Sequence, residues 1–163
     1  MAALAIAAAL PATAGAWAPA ATATVHPGVQ TFTEGGQCTA NFIYQDGNGT
    51  YIGQAAHCAS TGAATDTDGC LAGTQPLGTP VEITGASRPG TLVYSSWITM
   101  QANGESDPDT CAYNDLALVK IDPADVGKVN PSVPGFGGPT GVGGPSAALD
   151  DVYSYGNSSL RLG

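Results

Sequence analysis

At 163 residues the chain is long enough to bury the core of one substantial domain. Its formal net charge is −9, and Arg88, Lys120, Lys128 and Arg161 are its basic side chains, which excludes binding to nucleic acid or to an anionic membrane surface, since both need clustered Lys and Arg. With 23 Gly, 12 Pro and only 10% charged residues, and with no 3.6-residue apolar pattern after residue 25, the composition disfavours long helices and predicts an all-β protein with many turns.

Residues 1–23 are Ala-rich and broken by Pro11 and Pro19, so the longest apolar run is too short to span a bilayer. Ala12-Thr13-Ala14, Ala16-Trp17-Ala18 and Ala21-Thr22-Ala23 have the small-x-small form of a cleavage site, which predicts a signal peptide over 1–23 and a secreted, extracellular product free of the membrane once it is removed. The basic start of such a signal is missing, which reads as an incomplete amino terminus or a Met1 that is not the true start. Export leads to an oxidising compartment, where the even count of four cysteines predicts disulfides with three pairings open. No Cys-x-x-Cys is present and there are only two histidines, so no metal site is expected.

Residues 24–130 form the strand-rich block. Thr39–Tyr44 and Thr50–Ala55 are rich in β-branched and aromatic residues and flank Asp46-Gly47-Asn48-Gly49, which predicts a hairpin whose turn uses positive φ angles. A surface loop follows from Ala59 to Thr79, then strands over Thr79–Thr84 and Gly90–Met100, the second long enough to bend or bulge. Asp66-Thr67-Asp68-Gly69 and Glu105-Ser106-Asp107-Pro108-Asp109 offer oxygens to calcium, but neither completes a ligand set and both read as solvated loops. Leu116–Ile121 is apolar until Lys120, which predicts a strand buried on both faces, ended by Pro123. A Pro/Gly-rich connector occupies 131–149, and within 150–163 the alternation of Val152-Tyr153-Ser154-Tyr155-Gly156-Asn157-Ser158 predicts a further strand.

Chemistry concentrates in two short motifs. Tyr51-Ile52-Gly53-Gln54-Ala55-Ala56-His57-Cys58 ends an apolar strand on a histidine followed by cysteine, and Asn114-Asp115-Leu116-Ala117-Leu118-Val119-Lys120-Ile121 opens an apolar strand with an aspartate. Alone, each polar residue would be structural. Together, in this order, they resemble the histidine and aspartate signatures of bacterial secreted chymotrypsin-like serine peptidases, a resemblance that covers Gln37 to Gly163 and departs from the family at Gln54, where Thr or Ser is usual.

The resemblance implies the first antiparallel β-barrel of a double-barrel fold, with the second barrel truncated after its first strand. It implies His57 as general base and acid and Asp115 as the carboxylate that orients it. It selects a Cys38–Cys58 bridge beside the histidine, leaving Cys70–Cys111, and the hairpin agrees with that pairing; loops of these lengths would each contribute about 3 to 4 kcal/mol. The implied partner is a protein or peptide substrate, with no cofactor. No Gly-Asp-Ser-Gly turn follows Asp115, and Ser146 and Ser158 lack the glycine frame of a nucleophile. The chain therefore reads as a fragment that supplies His57 and Asp115, is inactive alone, and depends on a missing second barrel for its nucleophile, oxyanion donors and specificity pocket. The competing reading is a non-catalytic secreted β-barrel module that binds a protein or wall polymer.

Overall fold

The computed structural model describes residues 17–159 apart from positions 64, 142 and 152, so residues 1–16 of the expected signal peptide and Arg161 lie outside it. Tight turns set the first strand pairs. Glu34 and Gly35 take φ of 45° and 91°, the doubly positive geometry whose twist suits a two-residue hairpin, and they join β1 (Gln30–Thr33) to β2 (Gly36–Thr39). The expected hairpin forms between β3 (Ile43–Asp46) and β4 (Gly49–Gln54), but its turn works differently from expectation. Neither Gly47 nor Asn48 has positive φ; Asp46 Oδ1 instead accepts the amides of Asn48 and Gly49 at 2.8 and 3.0 Å, so a side chain closes the turn.

Three more strands complete one antiparallel sheet: β5 (Pro80–Ile83), β6 (Gly90–Ser95) and β7 (Ala117–Lys120), in the order β2-β1-β5-β6-β7-β4-β3. Its two edge strands are consecutive in the chain. Between them, Ala40 donates to Val29 O and Asn41 to Gly53 O, both at 2.8 Å, so one short segment touches both ends of the sheet. The sheet curls accordingly, and Gln54 Nε2 on β4 reaches Thr33 Oγ1 on β1 at 3.2 Å. Among the described residues no ladder joins β2 to β3. Val25, Ile52, Val81, Leu92, Val119 and Val129 fill the concave interior, all fully enclosed.

The strand expected over Gly90–Met100 ends early. β6 bulges between Leu92 and Tyr94, as its length suggested, and residues Ser96–Asn103 then form a helix, α1, closed by Gly104 at φ 65°. Helical spacing buries both Trp97 and Met100 on one side, which the straight strand could not do. A second helix, α2 (Pro108–Tyr113), replaces the end of the expected acidic loop. Asp107 caps it by accepting the Thr110 amide at 2.8 Å, and Pro108 sits in its first turn, where no amide partner is needed. β7 alternates buried and half-buried residues and is thus covered fully on one face only, rather than on both as expected.

No strand forms among the described residues of 150–159, against expectation. Asn157 instead pins this segment to β1 and β2: its amide donates to Thr39 Oγ1 at 2.8 Å, its side chain to Gly28 O at 3.0 Å, and Gln30 Nε2 donates to its carbonyl at 3.0 Å. Side-chain tethers have taken the place of ladder bonds. The described residues of 131–149 are largely irregular and exposed, as the Pro and Gly content predicts.

Candidate active site

Strand register brings the two motifs together. β4 and β7 are antiparallel neighbours, and Gln54 faces Ala117 at the last rung of their ladder. The chain leaving β4 and the chain entering β7 therefore meet at the same end of the sheet. His57 follows that rung in a 3₁₀ turn (Ala56–Ala59), and Asp115 precedes it in the link from α2 to β7. Residues 58 positions apart are thereby placed side by side.

Asp115 Oδ2 accepts from His57 Nδ1 at 2.6 Å, and Oδ1 accepts the His57 backbone amide at 2.9 Å. A carboxylate only accepts, so Nδ1 carries the hydrogen and Nε2 is left with its lone pair in the neutral ring. The hydrogen bond and charge of Asp115 hold the His57 pKa above the ordinary histidine value, against the opposing effect of partial burial. Burial of Asp115 pushes its carboxyl upward, but the His57 ring, the amides of His57 and Ala56 and the ring's charge together outweigh it and hold the pKa below the usual carboxylate range. The pairing thus favours the ionised form of Asp115 and makes the His57 ring more basic than a free imidazole.

The His57 ring lies at the surface. The His57 side chain is 54% exposed and borders a cleft of about 370 Å³ with Gln37, Cys38, Ser60, Gly62 and Asp66. Nε2 lies 4.0 Å from Cys38 Sγ. A somewhat larger cleft, about 410 Å³, surrounds Cys70 and Cys111 and includes Asp68 and Glu105, but it holds no paired base.

Cys38 bridges to Cys58 with Cα atoms 6.0 Å apart, and Cys70 to Cys111 at 5.2 Å, the pairings that the resemblance implied. The first bridge fastens β2 to the histidine turn. Gly36 allows the strand to lie that close, since a Cβ there would stand 2.6 Å from the Cys58 carbonyl oxygen. The second bridge ties the long loop to α2. Potential ligand atoms converge at Cys38, His57 and Cys58 and at Asp68, Cys70 and Cys111, yet in both places the sulfurs are disulfide-bonded and are not thiolates that bind zinc. In the two acidic loops, Asp68 caps the Cys70 amide at 2.9 Å and Glu105 accepts the amides of Ser106 and Asp107 at 2.7 and 2.9 Å, so several of the oxygens considered for calcium serve the backbone.

Ser146 is exposed in the irregular segment and Ser158 is half-buried beside Asn157. One important residue lay outside the sequence reading: Ser96, fully enclosed at the start of α1, which bonds the backbone on both sides of Asp115. No helix of the described residues is long and apolar enough to cross a membrane. Comparison with protein-family models, with curated proteins and with solved structures finds no match.

Proposed function

We propose that the chain is the amino-terminal part of a secreted, chymotrypsin-like serine endopeptidase, its curled sheet being the first of two barrels. The observation that carries this reading is the hydrogen-bonded His57–Asp115 pair, held by a carboxylate on one ring nitrogen and open to an incoming group on the other. A serine hydroxyl is a poor nucleophile at neutral pH and needs an adjacent base. His57 Nε2 takes the hydroxyl proton as the oxygen attacks the scissile carbonyl, then delivers it to the departing amine; a water deprotonated by the same nitrogen releases the acyl group. Asp115 keeps its charge throughout and stabilises the imidazolium. The nucleophile and oxyanion donors belong to a second barrel encoded beyond this sequence, and 131–149 is the connector to it. The two disulfides accord with export.

The test is to express this chain, and separately the chain extended through any Gly-Asp-Ser-Gly motif encoded downstream, and to treat both with casein and a fluorophosphonate probe. The extended protein should label and hydrolyse casein, and the 163-residue chain should do neither. In the extended protein, replacing His57 or Asp115 with Ala should lower the rate by about 10⁴-fold or more. Labelling of the short chain, or near-normal rates in either variant, would overturn the assignment. An extended protein that has the motif but no activity would favour a binding module of the same fold.

A further inference from the structure

Asp115 lies in no helix or strand, yet its carboxylate must meet a ring nitrogen at 2.6 Å and an amide at 2.9 Å. The position of a side chain follows from the two peptide planes that flank its Cα. Both planes at Asp115 are fastened to one atom. Ser96 Oγ donates to Asn114 O at 2.7 Å and accepts the Leu116 amide at 3.0 Å, while the Ser96 amide donates to Leu116 O at 2.8 Å.

We infer that Ser96 is a positioning residue for the His57–Asp115 pair: its hydroxyl clips the peptide units on either side of Asp115 and thereby aims the carboxylate. Ser96 is itself fixed, since it is 0% exposed and its helix is anchored by the burial of Trp97 and Met100. The bulge in β6 sets which residue reaches this place. Ser95 forms the β6 rung opposite Ala117, and its buried Oγ has no hydrogen-bond partner among the described residues, while Ser96 begins the helix next to the Asp115 segment. Two adjacent buried serines thus differ in one respect that matters here. A catalytic constellation must be held to within about 0.5 Å, and a single clip on both flanking peptides is a direct means of doing so.

The inference rests on the peptidase reading only for its catalytic meaning, and its test uses no peptidase assay. The NMR titration of the His57 ring is followed in this chain and in Ser96→Ala, Ser96→Thr, Ser95→Ala and Asp115→Asn. Ser96→Ala should move the His57 pKa downward, in the direction set by Asp115→Asn; Ser96→Thr, which keeps the hydroxyl, should restore it. Ser95→Ala should leave it unchanged, although it removes the same group one residue away. A folded Ser96→Ala protein with the wild-type His57 titration would overturn the inference. Should Ser96→Ala fail to fold, amide exchange in the wild type decides: the Leu116 amide should be protected, and exchange at the rate of an open amide would show that the clip does not form. Failure here leaves the acyl-transfer reading standing, and failure of that reading leaves the clip intact.

Discussion

Replacement of Asp125 by Ala should destabilise the chain by about 3 kcal/mol, more than an ordinary surface aspartate costs. Asp125 lies in a 3₁₀ helix (Pro123–Lys128), and its carboxylate is fully enclosed beneath the loop that joins β5 to β6. The Ser87 amide reaches both oxygens at 3.0 Å, Ser87 Oγ donates to Oδ1 at 2.8 Å, the Arg88 amide to Oδ2 at 3.0 Å, and Lys128 Nζ pairs with Oδ1 at 2.7 Å. The substitution strands two backbone amides, each costing about 1 to 3 kcal/mol if nothing replaces the acceptor. Ser87 can rotate its hydroxyl, and Lys128, whose side chain is 39% exposed, can turn to water, so these two add little. Water entering beneath a single loop recovers part of the amide cost, which places the sum near the lower end of the range for breaking a buried pair, about 3 to 5 kcal/mol. Urea unfolding followed by tryptophan fluorescence measures the difference, with Trp97 as the buried reporter. Burial opposes ionisation of Asp125, but its hydrogen bonds and Lys128 hold the carboxyl far below its ordinary value of 3.8. The wild-type advantage should therefore be complete above that value and shrink as pH falls through the lowered one. A loss under about 1 kcal/mol at neutral pH, or an advantage that persists in strong acid, would refute the reasoning.

The His57–Asp115 pair should also show in the pH dependence of stability. The His57 contribution is complete below 6.5 and lost as pH rises through its raised value, and the Asp115 contribution is complete above 3.8 and lost as pH falls through its lowered value. The stability difference between wild type and Asp115→Asn should thus peak between those limits in denaturant titrations, and a maximum above pH 9 would contradict the pairing. Replacing both members of a disulfide by Ala should cost about 3.3 kcal/mol for Cys38–Cys58 and about 3.9 kcal/mol for Cys70–Cys111, from loop separations of 20 and 41 residues; calorimetry giving the reverse order would refute the chain-entropy account. Trp97→Ala should cost about 3 to 5 kcal/mol in the same assay because the ring is 1% exposed, and a loss below about 1 kcal/mol would mean that α1 is not docked.

The residues of the pair were legible because each borders a strand with a strong apolar pattern, so motif and element marked each other. The hairpin of β3 and β4 was legible from its turn composition, though not the device that closes it. β1 was hidden by an inverted pattern: Thr31 and Thr33 face the interior while Phe32 is only half-buried, so the apolar residue is on the wrong side for a simple reading. Helix α1 was hidden because Trp97, Ile98 and Thr99 favour strands, and only packing beyond the β6 bulge turns them into a helix. The roles of Ser96 and Asp125 in holding distant backbone left no signal. The backbone groups they hold lie 18 to 20 and 37 to 38 positions away, and which serine or aspartate meets them depends on the bulge and on a loop path that local sequence does not encode.

Because the ladder between β4 and β7 is what unites His57 with Asp115, the two side chains cannot meet until the chain has been made as far as β7. Synthesis at about 5 to 20 residues per second separates their emergence by about 3 to 12 s, given their separation of 58 positions. During that interval the β3–β4 hairpin can form with a histidine that has nothing to orient it. The pair is thereby completed only when the central strands close, an order of events that follows from the order of the strands along the chain.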